Sequence, residues 1–241
     1  MADIWDMHCH VVPGVDDGAK SMAVSLQMLQ KSYEQGIYNV ICTPHYRKGM
    51  FETSRDDVEA SFLKLQQETA SRFEKLRLYL GCEFHVSYEM EETALADPRY
   101  RINGGPYVLA EFSGGAPEHM IREQCYALIN QNLRPVIAHG ERVQAIRDNP
   151  RLIDDIHEMG GYLQMNADCI LGLEGFGSKR FAAKMLKTDR VDFVGSDAHD
   201  MQERPSHLAE CYYFVEKKFG NSFAVRLFHD NPARMAQGEI L

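Results

Sequence analysis

Residues 3–10 read DIWDMHCH, a short apolar run that delivers two histidines, His8 and His10, at its end. An isolated His-x-His pair is a weak metal signal, with roughly even odds of meaning anything. It gains weight because the same event recurs down the chain. YNVICT at 38–43 leads through Pro44 to His45, LRLYLGCEF at 76–84 reaches Glu83, and YVLAEF at 107–112 reaches Glu111. RPVIAH at 134–139 ends on His139 and runs on into Gly140-Glu141-Arg142. YLQMN at 162–166 ends on Asn166, and DFVGS at 192–196 runs into Asp197-Ala198-His199. The loop PGVDDGAK after the first run adds Asp16 and Asp17.

Between these runs lie amphipathic stretches. Ser21 is a suitable N-cap for a helix to Gln35, and Gly36 suits the position just past its end. Further helices are expected over 54–75 (with Leu63 on its apolar face), 117–131, from Pro150 to Gly160-Gly161, and over 178–187, 205–219 and 221–229. The segment PHYRKGMFETS at 44–54 reads as a polar loop. The runs are continuously apolar rather than alternating, as in strands buried on both faces of a parallel sheet. Repeating β-α order allows a doubly wound sheet or a closed barrel. A barrel brings every strand's C-terminal end to one centre, where barrel active sites are built. The expectation is therefore an α/β fold, a seven-stranded (β/α)7 barrel.

With 241 residues, no internal repeat and no linker rich in Pro, Ser or Gly, the chain is expected to be one domain over 1–241. Hydrophobic residues at 44% and charged residues at 25% exclude a disordered, collagen-like or coiled-coil chain. No apolar run approaches the ~20 residues of a membrane span, so no membrane insertion is expected. The start MADIW lacks a secretory signature, which points to a cytoplasmic protein. A formal net charge of −9 argues against nucleic acid as a partner. The six cysteines form no CxxC pair and read as reduced core thiols.

Mixed imidazole and carboxylate ligands suit Zn, Mn, Fe or Ni rather than Mg or Ca alone. The set exceeds what one catalytic ion needs, so two or three ions sharing a bridging carboxylate are implied. Ions about 3.5–4 Å apart can hold a hydroxide between them and clamp a phosphoryl group. Taken singly, each residue has a plainer explanation. Glu83 could be a surface acid, Asp197 a helix cap and His139 a satisfied core histidine. Glu111 resists this, because an ionised carboxylate after YVLA needs a cation partner. His85 could stand behind the ligands, while His119, His157, His207 and His229 read as surface or structural. There is no GxxxxGK[ST] phosphate loop, no GxSxG elbow and no Cys-x5-Arg phosphatase loop, Cys42 to Arg47 being one residue short. Metal-activated water is then the default chemistry.

DMHCHVVPGVDDGA, TPHYRKGMFE, GCEF, AEFS, IAHGER and GSDAHDMQERP, with the ending DNPARM, together resemble the polymerase and histidinol phosphatase (PHP) superfamily. More closely they resemble its bacterial protein-tyrosine phosphatases of the CpsB/YwqE type, over nearly the whole chain. The resemblance implies a distorted seven-stranded barrel of the PHP type with three divalent ions, usually manganese, with iron or zinc as alternatives. It implies metal ligands His8, His10, Asp17, His45, Glu83, Glu111, His139, Asp197 and His199. One ion would take His8, His10, Glu83 and Asp197; a second Glu83, Glu111 and His139; a third Asp17, His45 and His199. Arg142 and Arg204 match phosphate-binding arginines, and Asp16 would be a neighbour of the ligand Asp17. A Pro often stands where this chain has Gly140. The implied partner is a phosphotyrosine-bearing protein, the tyrosine-rich tail of a membrane-linked bacterial tyrosine kinase that controls capsule or exopolysaccharide assembly. A metal-bridging hydroxide would attack phosphorus in line. Arg47 and Lys48 are rim candidates for an acidic tail. A histidinol-phosphate phosphatase, another small-molecule phosphomonoesterase, and a non-catalytic metal-binding regulatory module remain as alternatives.

Overall fold

The computed structural model describes residues 3–87 and 90–241, apart from the side chains at 91 and 95. Residues 1–2 and 88–89 of the single-domain reading lie outside the described residues. The strands are β1 (Ile4–Cys9), β2 (Ile37–Cys42), β3 (His45–Tyr46), β4 (Arg77–Leu80), β5 (Glu83–His85), β6 (Tyr107–Glu111), β7 (Arg134–Ile137), β8 (Tyr162–Asn166) and β9 (Phe193–Gly195). They form two sheets, in the orders β1-β2-β4 and β3-β5-β6-β7-β8-β9, and every pairing between neighbours is parallel. The α/β class and the parallel strands agree with the sequence reading. The segment count does not.

The reason is local. The expected loop at 44–54 contains β3, which continues the course of β2 beyond Thr43-Pro44. The expected run 76–84 is broken at Gly81-Cys82 into β4 and β5. Proline has no N–H, so the ladder is interrupted at Pro44. It resumes where the Glu83 N–H donates to the Pro44 carbonyl at 3.2 Å. Around the same break Thr43 N donates to Cys9 O at 2.9 Å and Gly81 N to Cys42 O at 2.8 Å. At the far edge Asp197 N donates to His8 O at 2.8 Å and His10 N to Ala198 O at 2.9 Å. The end of β9 is thereby tied to the end of β1.

The helices are α1 (Met22–Glu34), α2 (Arg55–Ala70), α3 (Met90–Ala96), α4 (Glu118–Asn130), α5 (Gln144–Asp148), α6 (Leu152–Met159), α7 (Ala167–Leu171), α8 (Phe176–Lys187), α9 (Leu208–Phe219), α10 (Asn221–Val225) and α11 (Asn231–Ala236). α1 has the expected caps: Ser21 Oγ accepts from Val24 N, and Gly36 has φ +85°. α2 starts at its Ser54 cap but ends five residues before the expected 75. It buries Val58, Phe62, Leu65 and Thr69. That stripe follows the 3.6-residue period and leaves Leu63 about a third of a turn from its centre, 47% exposed. The last expected helix, 221–229, runs on through a π-turn at Arg226–Asp230 into α11, so DNPARM is helical. No described helix is long and apolar enough to cross a membrane.

One apolar layer lies between helices and strands. A second, inner cluster contains Trp5, Met7, Ile41, Tyr107, Leu109, Val136 and Phe193 of the strands, with Ile102 and, from α11, Met235 and Ala236. In β6, Tyr107 and Leu109 belong to this inner cluster, and the two-residue period puts Glu111 on the same face one step further on. β8 places Tyr162, Gln164 and Asn166 on one face in the same way. β1 needs a correction, since Trp5 and Met7 have the opposite parity to His8 and His10. Its pairing with β2 has a register irregularity between Asp6 and Cys9, the kind of bulge that re-aims a side chain. All six cysteines are buried and free.

His157 is structural. Its Nε2 lies 2.8 Å from Asp192 Oδ2, which also accepts from Leu163 N. Burial works to lower the His157 pKa, but the bond to Asp192 outweighs it and raises it above 6.5. A raised histidine pKa adds stability that is fully present below the unfolded value and lost as pH rises through the folded one. The difference in melting temperature between wild type and His157→Gln is therefore largest below about pH 6.5 and shrinks above it. A difference that does not vary with pH would refute this.

Candidate metal centre

The strand ends meet as the convergence argument requires. Glu83, at the first position of β5, is fully buried. Its Oε2 lies 3.0 Å from His8 Nε2, 3.1 Å from His10 Nε2 and 3.1 Å from His45 Nδ1. Its Oε1 lies 2.6 Å from His139 Nε2. Asp197 Oδ1 stands 3.6 Å from His8 Nε2 and 3.5 Å from His10 Nε2. Asp17 Oδ1 faces His45 Nε2 at 3.5 Å and His199 Nε2 at 3.4 Å. Glu111 Oε2 is 3.9 Å from His45 Nδ1.

Three groups of donor atoms result, each within 4.8 Å: His8, His10, Glu83 and Asp197; His10, Asp17, His45 and His199; and His45, Glu83 and Glu111. All nine expected ligands lie around one centre, and Glu83 belongs to two groups. The grouping departs from the expected apportionment in two places. His45, rather than His139, gathers with Glu83 and Glu111, while His139 faces the other oxygen of Glu83. His10 joins the Asp17 group as well as its own.

The charges oppose and balance one another. Burial works to raise the Glu83 and Asp197 pKa values, but the surrounding imidazoles hold both well below the carboxylate range. The neighbouring His199 imidazole, its Nε2 3.4 Å from Asp17 Oδ1, holds Asp17 down to about 2. Glu111 is raised, first by burial and then by the charge of Glu83. Burial lowers His45 to about 4, whereas Asp16, Asp197 and Glu83 outweigh burial and raise His10.

The donor set fits metal ions. Among the described residues, His45 Nδ1, Glu111 Oε2 and His199 Nε2 are buried without a hydrogen-bond partner; His45 Nδ1 is near Glu83 but not in bonding geometry. Buried polar atoms are rarely left orphaned; His45 and Glu111 share one donor group and His45 and His199 another, where a cation would satisfy them. His139 and Asp197 also adopt left-handed backbone, φ 31° and 53°, which costs free energy and gathers at functional sites.

The supporting residues were harder to read. Gln164 Oε1 lies 3.2 Å from His8 Nδ1 and accepts from His139 N at 2.7 Å, fixing two of the expected ligands at once. Asn166 Nδ2 donates to Asp197 Oδ2 at 2.9 Å, while Glu141 Oε1 accepts from Asn166 N. Burial pushes the Glu141 carboxyl up to about 7. Asp6 accepts from the Ser196 backbone and hydroxyl, behind β9. Asp16 Oδ2 is 2.8 Å from His10 Nδ1 and accepts from His45 N, so it positions both histidines. The polar residues Gln164 and Asn166 within the strand YLQMN were the one available signal. Gly18 is required by close approach, since a Cβ there would sit 2.1 Å from His10 O. At Gly140 a Cβ would meet Leu163 Cδ1 at 2.3 Å, so the bare backbone fits this core. His85 bonds Ser113 at 3.1 Å, and Cys9 and Cys82 are buried.

Arg142 and Arg204, each partly exposed, converge on Asp197 Oδ2, with Nη1 of Arg142 at 2.8 Å and Nη2 of Arg204 at 2.9 Å. Nη2 of Arg142 also lies 3.6 Å from Glu174 Oε1. Two guanidinium groups therefore stand at the rim of the ligand cage.

Comparison with known proteins adds to this geometry. The profile of the family described as capsular polysaccharide synthesis, CpsB/CapC, matches residues 4–237. The chain is 32% identical over 241 residues to the tyrosine-protein phosphatase CpsB of Streptococcus pneumoniae, covering 98% of this chain and 99% of that one. It is 31% identical to the tyrosine-protein phosphatase YwqE of Bacillus subtilis, covering 92% and 87%. A crystal structure from the work on YwqE and CpsB, described as unique metal-dependent tyrosine phosphatases, superposes with a TM-score of 0.89 at 30% identity, covering 98% of this chain and 95% of that one. The histidinol phosphate phosphatase of Lactococcus lactis shares the fold, with a TM-score of 0.60 at 15% identity over 90% of this chain and 93% of that one. The chain belongs to the CpsB/CapC family of capsular polysaccharide synthesis.

Proposed function

We propose that this chain is a metal-dependent protein-tyrosine phosphatase. It would act on a phosphotyrosine-bearing protein of the capsule or exopolysaccharide pathway, the tyrosine-rich tail of a bacterial tyrosine kinase. The observation that carries the reading is the pair Arg142 and Arg204, both on Asp197 Oδ2 at the mouth of the ligand cage. We read the nine segments as seven staves, β2 with β3 and β4 with β5 each forming one interrupted strand, in a distorted barrel that makes a single domain. Three divalent ions, manganese by preference, would be held by His8, His10, Asp17, His45, Glu83, Glu111, His139, Asp197 and His199. Six buried free thiols suit the reducing cytoplasm, where we place it.

When bound, such ions supply Lewis-acid activation of water and neutralise phosphoryl oxygens. The chain's own groups do the rest. Glu83 and Asp197 hold four imidazoles in place, while Gln164 and Asp16 orient the rings of His8 and His10 and pin the backbone of His139 and His45. Arg142 and Arg204, anchored through one nitrogen each on Asp197, turn their remaining N–H groups to the phosphoryl oxygens in charge-assisted bonds. Tyrosinate leaves with a pKa of about 10, so proton donation to the leaving oxygen matters less than for an alkyl ester.

The test is phosphate release from a phosphotyrosine peptide, with manganese and with chelator, beside histidinol phosphate at equal concentration. Peptide turnover abolished by chelator is expected. Preference for histidinol phosphate would move the function to a small amine substrate, and silence on both with metal bound would favour a regulatory module.

A further inference from the structure

Away from the cage, α5 and α8 border a groove of about 780 Å³. Its walls carry Arg147, Arg180, Lys184 and Lys187 against a single carboxylate, Asp148, with Phe181 between them. The chain as a whole has a formal charge of −9, so this patch runs against the surrounding field. Among the described residues none of the four cations has a carboxylate partner; Arg147 donates to Glu141 O at 3.3 Å and stands over the Phe181 ring at 6.0 Å. Both walls continue directly from the segments that flank Arg142. α5 begins two residues after it, and Glu174, two residues before α8, is its second ion-pair partner. A chain with its phosphate on Arg142 would meet the groove next to the segments that flank that residue.

We infer that this groove docks an acidic segment of the same polypeptide that presents the phosphotyrosine, an inference that rests on the phosphatase reading. α8 has 12 residues, hence a length of about 18 Å, which an extended chain covers in about five residues. The acidic segment that lies along the groove is therefore about five residues long. Substrates are chosen by the charge beside the phosphate as well as by the phosphate itself.

Two labelled peptides without phosphate, one rich in Glu and its Gln counterpart, test the docking step by fluorescence anisotropy at low salt. The manganese-loaded full chain is compared with its Arg180→Glu/Lys184→Glu variant, whose folding is checked by its melting curve. The Glu peptide is expected to bind the wild type about tenfold more tightly than the variant, with affinity falling as salt is added. With phosphotyrosine in both peptides, KM in the wild type is about tenfold lower for the Glu form, and the two KM values converge in the variant. Equal binding of the two peptides, or equal binding to the two proteins, overturns the inference. Binding of a DNA duplex or of phosphatidylserine vesicles through the same cations, without binding of the Glu peptide, also overturns it. Turnover with no charge preference refutes the groove alone. Charge-selective binding with no turnover of any phosphotyrosine substrate keeps the groove and refutes the phosphatase reading.

Discussion

Glu83→Gln removes metal and turnover together. Glu83 meets four imidazoles, through Oε2 at 3.0–3.1 Å and Oε1 at 2.6 Å, with no exposure to water. Burial alone would raise its pKa; His8 and His139 hold it well below the usual range, so it is ionised in this setting. Glutamine keeps the volume, so the core need not collapse. It deletes the charge that two of the three donor groups share, and it turns an amide N–H₂ toward imidazole lone pairs. Partners standing behind metal ligands already cost 10–100-fold in affinity or activity when lost, so a bridging ligand is expected to cost at least about 100-fold. The measurement is the metal-to-protein ratio after desalting, taken with phosphate release in excess manganese. An unchanged far-ultraviolet dichroism spectrum shows that the fold survives. A full metal complement in Glu83→Gln would end the case for a shared carboxylate.

Much of this site was legible because its residues follow apolar runs, although in the fold His45 opens β3 and Glu83 opens β5. The strand end is a chemical landmark: an apolar run long enough to be buried, then a group that burial cannot tolerate unless it is paired. His8, Glu83, Glu111, His139 and Asp197 all announce themselves that way. Three features were not legible. The break at Pro44 and Gly81-Cys82 depends on which carbonyl the Glu83 N–H finds, a contact between segments about 40 residues apart. The aim of His8 and His10 depends on a register irregularity against β2, which the strand's own sequence does not encode. Gln164 stands behind His8 of β1 and His139, two residues past β7, while in sequence it is one polar residue in YLQMN. Leu63 shows the converse error: an apolar residue in an amphipathic stretch is placed by its angle on the helix, and its angle puts it in water. Periodicity within a segment is written locally, whereas register between segments is settled only when they pair.

Arg142→Ala lowers turnover by about 10²–10³-fold while metal content stays normal. The guanidinium is anchored by Nη1 on Asp197 Oδ2 at 2.8 Å, so its direction is set before substrate arrives. Burial would lower its pKa, but Asp197, Glu141 and Glu174 outweigh it, and the group keeps its charge. Such a preorganised donor stabilises the charge that develops on the phosphoryl oxygens without reorganising. Arg142→Lys regains little, because an ammonium cannot hold Asp197 and grip two phosphoryl oxygens as a planar fork does. Arg204 shares the Asp197 anchor, so the losses in Arg142→Ala and Arg204→Ala are expected to be non-additive in the double variant. Metal analysis separates the roles. If Arg142→Ala loses its ions along with its turnover, the residue supports the cage through Asp197. If the ions stay and turnover falls, it binds the phosphoryl group.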